Sequence, residues 1–207
     1  MPDSARGGGL PEADGRPGAV ILARHGQPAL SRRVRLSADQ YREWWADYEV
    51  VGLKADQMAP EPLKELASQA GFIIASPRPR SLETARLLCC GRTFAEDPLF
   101  VEAPLPPPHW PGWLKLRPRT WGVLSRFWWW FLNHHDQQET REEAQRRAGE
   151  AARQLEQLAA GGQDVLVVAH GFFNAMVGLA LRKRGWRCVQ DGGFGYWSAR
   201  RFELSQF

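Results

Sequence analysis

The residues Arg24-His25-Gly26 follow directly on the apolar run Ala19-Val20-Ile21-Leu22-Ala23. An apolar run that stops on Arg-His-Gly has the pattern of a buried strand delivering its last side chains into a crevice. Histidine beside arginine suits one task, attack on or grip of a phosphoryl group. Two further apolar runs end in the same residue types. Phe72-Ile73-Ile74-Ala75 leads into Ser76-Pro77-Arg78-Pro79-Arg80, and Val165-Leu166-Val167-Val168-Ala169 leads into His170-Gly171. Ligands of open α/β sheets bind beyond the carboxyl ends of the strands. Three such endings therefore point to one site.

In that site Arg24, His25, Arg80 and His170 would surround a dianionic phosphate. His25 is the expected nucleophile, because neutral imidazole attacks phosphorus and a flanking arginine disfavours the protonated ring. The product would be a phosphohistidine, which water then hydrolyses. Arg24, Arg80 and His170 would hold the equatorial oxygens, where charge spreads in the transition state. The leaving alkoxide needs a proton, and Glu102, just before Ala103-Pro104-Leu105-Pro106, is the best-placed carboxyl. The glycines after both histidines are expected to let the backbone turn tightly. Helices starting just beyond would add N–H groups and a positive dipole end.

The elements that must position these groups alternate short apolar runs with helical stretches. That alternation predicts an α/β fold, a three-layer sandwich with a mostly parallel central sheet and helices on both faces. Strands are expected at Ala19–Ala23, Phe72–Ala75, Pro98–Glu102 and Val165–Ala169. A final one is expected at Tyr196–Leu204, as an antiparallel edge. Tyr41, Trp44, Trp45 and Tyr48 share one face of a helix. Further helices are expected over Pro62–Ala70, Ser81–Cys90 and Phe172–Arg184. Thr140-Arg141-Glu142-Glu143 is a capping box. It opens a helix with Ala144, Ala148, Ala151, Ala152, Leu155 and Leu158 on one side, closed by Gly161-Gly162 as an αL cap.

The set Arg24-His25-Gly26, Ser76-Pro77-x-x-Arg80 with Thr84-Ala85, and His170-Gly171 resembles the histidine phosphatase superfamily, the phosphoglycerate mutase-like proteins. The resemblance spans Val20 to Gly171. It implies that His25 is phosphorylated, that Arg24 and Arg80 clamp phosphate, that His170 is the second pocket histidine, and that Glu102 donates the proton. It implies no metal and no cofactor. Gln27-Pro28 and Ser31 stand where many members carry Glu-Thr or Glu-Ser and then an asparagine, so Ser31 takes the asparagine's place among the phosphate-binding residues. The glycine-rich stretch of the mutases is replaced by Pro104 to Pro111, which favours a phosphatase over a mutase.

Composition agrees with one globular domain. The chain has 207 residues, 43% hydrophobic and 24% charged, with a net charge of +4. The basic residues are nearly all arginine, the better phosphate fork. This mild excess favours small anionic ligands and does not call for nucleic acid. Met1–Gly18 lacks the apolar stretch of a secretory signal and is expected to be a disordered tail. The histidine phosphatase domain then runs over 19–207. Three cysteines, Cys89, Cys90 and Cys188, form no disulfide framework, and cytoplasm is the expected location; Cys89 and Cys90 are read as core. No segment is apolar for long enough to span a membrane. His134-His135-Asp136 reads as a polar helix end and not as a metal site.

The Pro/Trp-rich stretch 104–138 reads as an insertion. In it Trp121, Leu124, Phe127, Trp128, Phe131 and Leu132 cluster on one helical side. This segment either caps the sheet, forms a lid, or offers Trp128–Phe131 as a homodimer or partner contact. The expected activity is hydrolysis of a small-molecule phosphomonoester through phospho-His25. The alternatives are a phosphoprotein (phosphohistidine) phosphatase and a non-catalytic phosphate-binding or scaffold protein on the same fold.

Overall fold

The computed structural model describes residues 16–205. Of the expected tail, residues 1–15 lie outside the described residues. Gly18 belongs to the fold, its N–H donating to Ala159 O at 2.8 Å.

The described chain is a mixed six-stranded sheet in the order β3-β2-β4-β1-β6-β5. Strands β1 (Val20–Arg24), β2 (Phe72–Ala75), β3 (Ala95–Glu96) and β4 (Val165–Ala169) are parallel; β5 (Trp186–Asp191) and β6 (Ala199–Leu204) run antiparallel to their neighbours. The central strands β1 and β4 are continuous apolar runs, as strands covered on both faces require, and β4 is buried throughout. Helices α5 (Arg141–Ala159) and α6 (Gly171–Lys183) close one face around Val20, Leu22, Val165, Val167 and Leu155. Helices α2 (Glu61–Gln69) and α3 (Pro79–Cys89) close the other around Ile21, Ala23, Leu166 and Val168. Inward residues thus alternate along each strand between two cores. A third cluster joins α1 (Ala38–Val50) to α4 (Pro118–Leu132) through Tyr41, Trp44, Tyr48 and Trp121.

Several expectations are corrected. Pro98–Glu102 is not a strand. Pro98 opens a 3₁₀ turn to Phe100, capped by Asp97 through the Leu99 N–H, and the strand lies earlier, at Ala95–Glu96. Proline lacks the N–H a sheet ladder needs. The last strand begins at Ala199, because Trp197 adopts a positive φ of 61°. It sits between β1 and β5, so the edge is β5 and not β6. Helix α5 ends on Ala160 in a right-handed conformation, and the left-handed residue is Gly162. Cys89 is buried, whereas Cys90 is left-handed and exposed.

Helix α4 buries only part of its apolar surface. Trp121, Ser125 and Trp129, one turn apart, are buried, whereas Phe127 and Phe131 are 49% and 67% exposed. Two hydrogen bonds select that face. Trp121 Nε1 donates to Leu36 O at 2.7 Å and Trp129 Nε1 to Glu139 O at 3.0 Å. Trp128 packs edge-on to Trp110, and Trp129 and Trp130 pack on Phe172. The segment packs between α1 and the start of α6.

Candidate active site

The carboxyl ends of β1, β2 and β4 bring four of the expected residues together. The His25 and His170 rings lie 5.2 Å apart, centroid to centroid. Both histidines are 1% exposed and Arg80 is wholly buried. Arg80 Nη2 lies 3.3 Å from His170 Nδ1.

The hydrogen bonds fix both tautomers. His25 Nδ1 is 2.7 Å from Gly26 O, which can only accept, so Nδ1 carries the hydrogen and Nε2 the lone pair. For His170 the order is reversed. Nδ1 accepts from Arg80, and Nε2–H donates to Ser76 Oγ at 2.9 Å. Burial, then the charges of Arg80 and Arg24, hold His25 well below the usual histidine range. Burial and then Arg80 do the same to His170. Both rings are therefore neutral near pH 7.

Both arginines are held, and in each the buried Nε stays unpaired. Arg80 Nη1 donates to Tyr48 O at 2.6 Å, and Arg80 Nη2 to Glu49 Oε1 at 2.9 Å. Glu49 Oε2 also pairs with Arg78 Nη2 at 2.6 Å. Arg24 Nη1 donates to Phe194 O, and its guanidinium stacks 4.5 Å from the Tyr196 ring centroid. The buried Nε atoms of Arg24 and Arg80 make no hydrogen bond among the described residues. A buried donor left unpaired costs about 1–3 kcal/mol, and an acceptor supplied by a ligand would offset that cost at either arginine.

Gly26 and Gly171 serve close approach. Neither adopts a positive φ. A Cβ on Gly26 would fall 2.4 Å from the Trp197 ring, and one on Gly171 would fall 3.2 Å from Arg24 Nε. Gly26 N–H donates to Thr84 Oγ1 at 2.9 Å, and the Thr84 hydroxyl donates to Arg80 O at 2.6 Å. This chain ties the loop after β1 to the first turns of α3.

The expected helix starts supply less than the sequence suggests. No helix follows β1 directly; the next, α1, opens with a capping box at Ser37. The first turn of α6 is already occupied. The Phe172 and Phe173 N–H groups donate to the Glu102 carboxylate at 3.3 and 2.8 Å. That places Glu102 against the residues that follow His170. Ser31 is exposed, and its hydroxyl accepts from Arg33 N–H at 3.3 Å within its own loop, so it is not drawn to the four clustered residues.

Sequence reasoning did not find Glu49, Tyr48, Ser76, Thr84 or Tyr196 as parts of this site. Ser76 and Thr84 stand within the motif around Arg80 and were legible there. Tyr48 was read only as helix face. Tyr196 lies 5.7 Å from His25, ring to ring, at the end of the glycine-rich loop between β5 and β6. Burial and neighbouring Tyr48 push its phenol up to about 12, so it remains neutral.

Neutral rings beside a buried and a half-buried arginine with unpaired Nε donors, at the carboxyl end of parallel strands, suit a phosphoryl group. The chain belongs to the histidine phosphatase superfamily, whose branch 1 model matches residues 20–191. No curated protein matches the sequence significantly. Solved structures share the fold. A phosphoserine phosphatase variant from Entamoeba histolytica, bound to phosphoserine, is 14% identical, with 88% of each chain covered and a TM-score of 0.52. A structure described as mycobacterial hydrolase 1 is 20% identical, covering 81% of this chain and 82% of that one, with a TM-score of 0.52. Mycobacterial hydrolase 2 is 22% identical, covering 81% of this chain and 73% of that one, with a TM-score of 0.51. Among the described residues no helix is long and apolar enough to cross a membrane.

Proposed function

We propose that the protein hydrolyses a small-molecule phosphomonoester through a phosphohistidine on His25. The carrying observation is the neutral His25 ring, with Nδ1–H held by Gly26 O and Nε2 left unbonded among Arg24, Arg80 and His170. The Nε2 lone pair attacks phosphorus, the P–O bond to the leaving group breaks, and Glu102, entering the cycle as the protonated acid, gives its proton to the departing oxygen. Water then gives its proton back to Glu102 and attacks the phosphohistidine. The P–N bond breaks, releasing inorganic phosphate and neutral His25. The free Nε–H groups of Arg24 and Arg80 receive the equatorial oxygens. Ser31 has no part in this scheme as the loop stands.

The cover over His25 favours a small substrate over a phosphoprotein. Tyr48 and Tyr196 pack at 6.5 and 5.7 Å from its ring, leaving the residue 1% exposed. A protein side chain presented on a bulky surface needs a more open mouth. Cytoplasmic action is part of the same proposal, in keeping with three free cysteines.

Rapid-quench labelling with a ³²P-labelled aryl phosphate tests the reading. Acid-labile, base-stable label should appear on the wild-type protein and vanish in His25→Ala, with turnover falling by about 10³-fold or more. Full activity in His25→Ala would sink the mechanism. No label and no turnover in the wild type would favour a phosphate-binding scaffold.

A further inference from the structure

One side chain of the basic run Arg32-Arg33-Val34-Arg35 turns inward. Arg33 and Arg35 are exposed, whereas Arg32 is half-buried. Its Cζ lies 5.2 Å from the Tyr196 ring centroid and 5.4 Å from that of Tyr48, and its Nη2 donates to the Tyr48 hydroxyl at 3.0 Å. Each tyrosine carries a second guanidinium, Arg24 over Tyr196 and Arg80 over Tyr48, both at 4.5 Å. The five side chains form one arc, Arg24–Tyr196–Arg32–Tyr48–Arg80. Its ends are the two strand-end arginines, its rings lie 5.7 and 6.5 Å from that of His25, and Arg32 is its midpoint. The Arg32 charge reaches the nucleophile, being one of those that oppose protonation of His25.

The loop that carries Arg32 is anchored. Ala29 N–H donates to Gly52 O at 3.0 Å, Trp44 Nε1 donates to Ser31 O at 3.1 Å, and Leu30 packs on the α1–α4 cluster. Trp44 and Tyr48 both belong to α1, so one helix fixes the backbone before Arg32 and the hydroxyl its side chain meets. Charge is short at the pocket. Both histidines are neutral, and Glu49 offsets part of the Arg80 charge at 2.9 Å. His170 also has both ring nitrogens engaged, by Arg80 and Ser76. Arg24 and Arg80 by themselves therefore leave a phosphoryl dianion under-compensated. Arg32 has no carboxylate partner among the described residues. Its acceptor is a hydroxyl, and an anionic phosphoryl oxygen suits a guanidinium fork better.

We propose that Arg32 is a third arginine for the reacting phosphoryl group, exchanging the Tyr48 hydroxyl for a phosphoryl oxygen that Arg24 and Arg80 leave free. The inference rests on the phosphatase reading of His25 and deepens it. The transferring group spreads its charge over three equatorial oxygens, and the unpaired Nε–H groups of Arg24 and Arg80 serve two of them. A guanidinium from the loop after β1 takes the third, where charge builds as the bond to the leaving group breaks. Arg32 thereby supplies, one residue further on, the contact that Ser31 does not make.

Steady-state kinetics on p-nitrophenyl phosphate test this in the full-length protein, at a pH on the rate plateau. Arg32→Gln should lower kcat/KM by about 10²–10³-fold, and Arg32→Lys, which keeps the charge without the fork, by less. Millimolar guanidinium chloride should restore Arg32→Ala by about tenfold or more over the same concentration of sodium chloride. It should have no such effect on Tyr48→Phe. Rescue separates a guanidinium on the phosphoryl group from one that only packs between two rings. A loss below about threefold in Arg32→Gln would overturn the proposal. So would an equal loss in Tyr48→Phe, which deletes the hydroxyl and keeps the arginine, or a loss that guanidinium does not restore in an Arg32→Ala protein shown to be folded by circular dichroism. A binding arm separates this from the phosphatase reading. In calorimetric titration, Arg32→Gln should weaken the binding of inorganic phosphate by about tenfold or more. That weakening in a protein without turnover refutes the reaction and keeps the contact; turnover with phosphate affinity and kcat/KM unchanged in Arg32→Gln does the reverse.

Discussion

A histidine that attacks phosphorus must keep its lone pair, and three neighbours of His25 enforce this. Burial, Arg80 and Arg24 oppose its protonation, and Gly26 O takes the proton that remains, on Nδ1. The acid limb of kcat/KM should therefore fall below pH 6.5, with activity sustained through the range where an ordinary histidine titrates. A pH–rate profile on an aryl phosphate checks this, and a limb at or above 6.5 counts against it. Glu102 gives a second test. Glu102→Gln should lower kcat/KM for an alkyl phosphate by about 10²–10⁴-fold. The loss should be smaller for p-nitrophenyl phosphate, whose phenolate leaves without a proton. Equal losses on both would assign Glu102 to holding the first turn of α6 alone. At this scale the sequence named His25, Arg24, Arg80 and His170, because each stands in a motif at a strand end. It could not name Glu49, which reaches Arg80 from 31 positions away through a helix with no motif of its own.

Helix α4 is strongly apolar, and periodicity by itself does not choose its buried side. With Trp, Phe and Leu around most of the helix, the pattern has no single polar face to orient it. The outcome is set by which indoles find acceptors, and Leu36 O and Glu139 O choose Trp121 and Trp129. Trp129→Ala should then cost about 3–5 kcal/mol, while Phe131→Ala, 67% exposed, should stay within about 0.5 kcal/mol. Urea unfolding of the two variants decides between this face and the reverse. The same lesson holds at Pro98. An apolar stretch after a helix reads as a strand, but a proline with an aspartate ahead of it closes a 3₁₀ turn. The capping box at Thr140 was fully legible, since all its bonds lie within four residues.

For the molecule as a whole, the two neutral histidines link stability to pH. Their folded values lie below that of the unfolded chain, so the unfolded state takes up protons first as pH falls through 6.5. The stability they permit is complete above 6.5 and declines below it, by about 1.4 kcal/mol per pH unit for each histidine and about 2.7 for both. Urea midpoints between pH 7.5 and 5.5 should show this, and His25→Asn with His170→Asn should flatten the slope in that window. The sequence by itself determined the α/β class, the parallel core and the strand-end residues that gather around a phosphate. Those follow from local runs of apolar residues and from motifs whose meaning is carried by neighbours in the chain. Only the tertiary structure decided that β6 lies inside the sheet, that Glu102 binds the start of α6, and that tyrosines cover His25. Each of these joins residues tens of positions apart, where packing, charge and unpaired donors, and not spacing, choose the partner.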